Sequence, residues 1–205
     1  MVKGLFSVIA VSVAASQSYE PARAERVVME GTPVNTAAAG VVLAELTVDA
    51  RGLVTDTNIL QALDPYTGVV QSSVRNWSFA AARDGGVRTD SHVLVACLFR
   101  PAMLMFPAPD RIRTPEGTAS EDTPLPKGMA VPPYPPNAVG GAYVVTELEV
   151  DENGTVRSVK VVSPPSGFDD SALSTARQWS FSPAERDGAG VPSFVYLIFG
   201  FRQPN

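Results

Sequence analysis

The sequence predicts an α+β protein made of two tandem small domains, each a three-stranded antiparallel sheet packed by one or two helices. Two observations carry this. First, a shift of 102 positions lays Trp179 on Trp77 without a gap. Val144, Glu147, Leu148, Val150, Asp151 and Gly154 then fall on Val42, Glu45, Leu46, Val48, Asp49 and Gly52, and Arg177, Ser180, Phe181 and Ala184 fall on Arg75, Ser78, Phe79 and Ala82. A period this long is the length of a small domain rather than of a solenoid repeat. Second, each copy reads as strand, turn, strand, helix, strand in its hydrophobic spacing.

At 205 residues with 45% hydrophobic content, the chain is long enough for two modest cores. The net charge of −5 argues against a sequence-blind nucleic-acid partner. The single cysteine, Cys97, excludes an internal disulfide and a thiolate metal cage, and the single histidine, His92, leaves little for zinc or triad chemistry. No cofactor, metal or small-molecule substrate is expected.

Residues 1–24 have the layout of a secretory signal peptide: Lys3, an apolar run from Gly4 to Ala15, then small residues, with cleavage expected after Ala15 or after Ala24. The run is about half of the ~20 residues that span a bilayer, so a location outside the cytoplasm is expected.

Residues 34–100 form the first domain. Val42, Leu46 and Val48 lie on one face of a strand, and Asp49-Ala50-Arg51-Gly52 turns the chain back. Val54 breaks the parity of Thr57 and Ile59, which predicts a bulge beside the turn. Asp64-Pro65 is expected to start a helix whose face carries Tyr66, Val70, Val74 and Trp77. Val93, Val95, Cys97 and Phe99 alternate as the third strand, which makes Cys97 a buried, inert thiol and leaves His92 on the solvated parity.

Residues 101–133 lose periodicity and gain proline, so an extended spacer is expected there. Met103-Leu104-Met105-Phe106 is too apolar for an idle spacer and is expected to continue or cover the first domain's edge strand.

Residues 134–205 form the second domain. Val144, Thr146, Leu148 and Val150 point inward, Asp151-Glu152-Asn153-Gly154 turns, and Val159 and Val161 line the return strand. Ser166 or Asp169 is expected to cap a helix whose core face is Ala172, Leu173, Ala176 and Trp179. Val195, Leu197, Phe199 and Phe201 form the last strand. Trp77, Phe79, Trp179 and Phe181 are read as core plugs, and Glu45 and Glu147, on the outward parity, as solvated.

The second copy resembles the C-terminal domain of the TonB family, the periplasmic end of bacterial energy transducers. The matching residues are Tyr134, Pro135, Ala138, Asp151, Gly154, Val156, Arg177, Trp179, Phe181, Pro183 and Ala184. The first copy is degenerate: it lacks the Tyr-Pro opening, and Ala81 stands where the second copy has Pro183. The resemblance implies two short helices on a three-stranded sheet. It also implies a non-enzymatic module, related to transport across the outer membrane, that adds a receptor peptide to an exposed sheet edge.

That edge is expected on the last strand, Ser193 to Phe201, with Tyr196, Ile198 and Gly200 outermost. The partner expected is an outer-membrane receptor or another envelope protein, and the alternative cover for that face is the other domain or a homodimer partner. A structural or adaptor protein of the envelope is the second reading. Enzymatic function has little support: Asp169-Asp170 sits at a helix start, where capping explains it.

Overall fold

The computed structural model describes residues 19–29, 39–99 and 118–203. The apolar run before residue 19 and the Met103–Phe106 stretch lie outside the described residues. The first half runs β1 (Tyr19–Glu20), β2 (Arg23–Arg26), β3 (Gly40–Val48), β4 (Val54–Gln61), α1 (Tyr66–Val74), β5 (Ser78–Ala80), β6 (Ala82–Asp84), β7 (Val87–Thr89) and β8 (Ser91–Phe99). The second half runs β9 (Pro126–Gly128), β10 (Ala142–Val150), β11 (Val156–Val161), α2 (Asp169–Ala176), β12 (Ser180–Phe181), β13 (Ala184–Arg186), β14 (Ala189–Val191) and β15 (Ser193–Phe201). The class is α+β.

The long strands form one six-stranded sheet in the order β11-β10-β15-β8-β3-β4. Its halves meet where β15 pairs parallel to β8, from Val195 opposite Leu94 to Gly200 opposite Phe99. The other pairings in this sheet are antiparallel. Parallel pairing at the seam turns the two halves over relative to each other, so repeat-related residues point to opposite faces. Trp179 belongs to the core on one face, with Leu148, Ala172 and Leu197, and Trp77 to the core on the other, with Leu46, Val70 and Val95. Each core draws on strands of both halves. Val41, Leu43 and Leu94 help to fill the α2 side, and Val145, Tyr196 and Ile198 the α1 side.

The hairpin turns follow from their residues. Asp49 Oδ1 accepts from the Arg51 and Leu53 amides at 2.9 and 3.0 Å, and Asp151 Oδ1 from the Asn153 and Thr155 amides at 3.0 and 2.8 Å. Gly52 sits at φ +87°, where a Cβ would lie 1.8 Å from the Phe79 carbonyl oxygen. Gly52→Ala is therefore expected to cost more than the ~1–2 kcal/mol of left-handed geometry alone, because the backbone must also shift. A urea denaturation curve checks this. The β3–β4 register slips between Thr47 and Val48, beside the turn where the parity of Val54 breaks.

Four local expectations differ from the structure. Leu173, expected on the core face of α2, is only half-buried, and Thr175 is buried on that helix with Ala172 and Ala176. Asp64 makes no capping bond to α1; the Leu63 carbonyl accepts from the Tyr66 and Thr67 amides instead, at 2.8 and 3.0 Å. Ser166 and Asp169 bond each other, at 2.7 Å between side chains, rather than capping α2 by a side chain. Residues 118–131, placed by sequence in the spacer, are packed. Leu125, Met129, Ala130 and Val131 lie against the α2-side core, and β9 pairs with β12.

Residues 19–29 repeat this arrangement for the first half. β2 pairs with β5 in the register that β9 keeps with β12: Ala24 lies opposite Phe79 as Pro126 lies opposite Phe181. Trp77 Nε1 donates to the Val28 carbonyl at 2.8 Å, and Trp179 Nε1 to the Ala130 carbonyl at 3.0 Å. Each half thus begins with an arm that closes over its own Trp. The repeat there is one of backbone geometry, and sequence identity does not reveal it.

Candidate protein-interaction site

The expected binding edge is the centre of the sheet. Tyr196, Ile198 and Gly200 lie between Glu147, Val145 and Tyr143 of β10 and Val95, Cys97 and Phe99 of β8. Tyr196 and Ile198 are fully buried. The assignment of these residues to an exposed edge is corrected on that ground. A strand hydrogen-bonded on both sides has no free ladder to offer, and the covering partner is the first half of the same chain.

Each of the three has a packing role. The Tyr196 ring meets Trp77 and Phe79 edge-on, at 5.6 and 6.0 Å between centroids. Its hydroxyl donates to Glu147 Oε2 at 3.0 Å and accepts from the Ala24 amide at 2.6 Å. Burial raises the pKa of this phenol well above its ordinary value. A Cβ on Gly200 would lie 3.1 Å from Phe99 and 3.3 Å from Tyr143, so glycine lets the two rings close over the strand. Trp77, Phe79, Trp179 and Phe181 are all buried.

Glu45 and Glu147, expected in solvent, are 4% and 3% exposed. The reason is the same fusion: the outward face of each half is covered by the arm of the other. Glu147 takes Arg23 of the first arm at 2.9 Å and Lys160 at 3.1 Å. Glu45 accepts from the Ser120 amide at 2.8 Å and from the Thr123 hydroxyl, both on the second arm. A buried carboxylate needs such partners, and sequence parity alone could not supply them.

The sheet's outer strands are β11 and β4. In β11, Val156, Val159 and Val161 are half-buried against the α2-side core, and Arg157, Ser158 and Lys160 are exposed. The Val162 amide donates to the Val145 carbonyl at 2.9 Å. Antiparallel ladders alternate bonded and non-bonded pairs. Given Lys160 opposite Glu147 and Val159 opposite Leu148, the amides of Ser158 and Lys160 point toward β10 and those of Val159 and Val161 point outward. Among the described residues no strand pairs with that outer side. On β4, the Asn58 side chain donates through Nδ2 to the Thr118 carbonyl at 3.2 Å.

A polar cleft of about 390 Å³ opens where the second arm crosses the start of β8, lined by Asp90, His92, Asp122 and Arg186 among others. His92, expected to be solvated, is half-buried, with Nδ1 2.6 Å from Asp122 Oδ1. Asp122 lies in the stretch read as spacer, so no sequence signal joined the two. Cys97 is buried, and desolvation drives its thiol pKa far upward. Among the described residues no group of His, Cys, Asp and Glu is placed to hold a metal ion.

Residues 131–202, about a third of the chain, match the family described as Gram-negative bacterial TonB protein C-terminal. That family is one of periplasmic protein-interaction domains tied to outer-membrane receptors and transport. The match takes in β10, β11, α2 and β15, together with Trp179, and leaves the first half outside it. No curated protein and no solved structure matches the chain.

Proposed function

We propose, from a second half that matches the TonB C-terminal family, that this chain is a periplasmic binding module that takes a receptor peptide as an added strand along β11. The observation that carries the reading is the one-sided ladder of β11, whose Val159 and Val161 backbone groups face away from the sheet. An extended peptide bonding there gains main-chain hydrogen bonds without displacing any existing ones. Residues 1–15 act as the export signal; cleavage after Ala15 leaves the first arm whole, whereas cleavage after Ala24 would divide β2.

Val159→Pro tests the site. It removes an outward donor and leaves the ladder to β10 intact, a placement that edge strands tolerate. The variant is expected to fold and to lose most of its affinity for receptor-derived peptides in a calorimetric titration, whereas Val159→Thr retains it. Unchanged affinity in a folded Val159→Pro protein would exclude strand addition at β11.

The two halves place outer strands at both ends of the sheet, which favours a second reading as an envelope adaptor bridging two partners. A stoichiometry of two peptides per chain supports that reading, and one peptide supports the first.

A further inference from the structure

The cleft beside the start of β8 joins pieces distant in sequence. His92 stands on β8, a strand at the seam, and Asp122 on the second arm. Besides the 2.6 Å contact with Nδ1, Asp122 lies 3.4 Å from the His92 amide through Oδ2 and 3.3 Å from Arg186. We propose that His92 and Asp122 form a proton-operated latch that fixes the second arm across the first half when the imidazole is charged and loosens it when the imidazole is neutral.

What the latch holds gives it leverage. The Glu45 carboxylate is buried by this arm and takes its Ser120 amide and Thr123 hydroxyl. The same segment ties α2's half through the bonds from the Ser182 amide to the Leu125 carbonyl and from the Glu185 amide to the Glu121 carbonyl, at 2.8 and 2.9 Å. Loosening the arm therefore hydrates Glu45 and frees the cover over Trp179, whose indole donates to the arm at Ala130.

The surrounding charges favour a protonated imidazole. Asp122 and Glu121 face the cleft from the arm, Asp90 from the residues before β8, and Glu185 and Asp187 from the β13–β14 hairpin. Glu45 adds attraction from β3, and Arg186 opposes it. The guanidinium of Arg186 is held over the Tyr19 ring at 4.8 Å and also reaches Asp84, at 3.9 Å, so its charge is shared. The Asp122 hydrogen bond, partly offset by burial, raises the His92 pKa above its ordinary 6.5. A group whose pKa is raised on folding stabilises fully below the unfolded value and loses that contribution as pH rises through the folded one. The arm is thus expected to be firm at mildly acid pH and looser above the His92 midpoint.

His92 is the only histidine, so its ring protons give one unambiguous titration in the NMR spectrum of the full chain. The midpoint is expected above 6.5 in the wild type and lower in Asp122→Asn. Hydrogen exchange of residues 118–131, corrected for intrinsic rate, is expected to lose protection across the same pH interval and to show no such step in His92→Gln. Both experiments are run without any partner, so they stand or fall apart from peptide binding at β11. A wild-type midpoint at or below 6.5, or an arm whose exchange follows the same pH profile in His92→Gln, would overturn the latch.

Discussion

Trp179→Ala is expected to melt both halves of the chain in one transition. Trp179 is 3% exposed, its ring lies 6.2 Å from that of Phe181, and its indole holds the second arm. Truncating such a side chain typically costs ~3–5 kcal/mol, against the ~5–15 kcal/mol that hold a domain. The damage does not stop at the second half, because Val41, Leu43 and Leu94 of the first half line the same core. The protein has two tryptophans, so fluorescence of the variant reports Trp77 alone. Its midpoint should fall together with the loss of circular dichroism. A Trp77 signal that melts at the wild-type midpoint would mean that the halves unfold separately.

Ile198→Pro is expected to abolish folding altogether. Ile198 lies between Val145 and Cys97 with strands on both sides, and it is fully buried. Proline there removes a ladder hydrogen bond in the middle of a sheet, where proline is essentially not found. The comparison with Val159→Pro is the informative one, since the same substitution at an outer strand is expected to be tolerated. Soluble yield and the far-ultraviolet spectrum decide. A folded Ile198→Pro protein that had lost only partner binding would return the binding edge to β15.

What could be read in the sequence was whatever is local. The hairpin turns at Asp49–Gly52 and Asp151–Gly154, the bulge beside Val54 and the buried face of α1 follow from nearest neighbours in the chain. What could not be read was which strand lies beside which. The parity of Tyr196 and Ile198 places them correctly on the face away from α2, but parity does not reveal that the other half covers that face. The burial of Glu45 and Glu147 and the pairing of His92 with Asp122 were hidden for the same reason, since each depends on an arm from elsewhere in the chain. Proline content misled at residues 118–131. It suits a spacer, but it suits an arm bonded along one side equally well.

The parallel seam also sets the order in which the protein can assemble. Val195 and its partner Leu94 are separated by most of a domain's length of chain. Closing a loop that long adds only modestly to the free-energy cost, about 0.6 kcal/mol per doubling, but contacts so distant in sequence form slowly. During synthesis the first half is complete before β15 exists. Until then β8 presents Leu94, Val95, Ala96, Cys97 and Leu98 along an unpaired edge. Such an edge invites pairing with other chains. Refolding yield is therefore expected to fall steeply with protein concentration for as long as the second half is missing from the sheet.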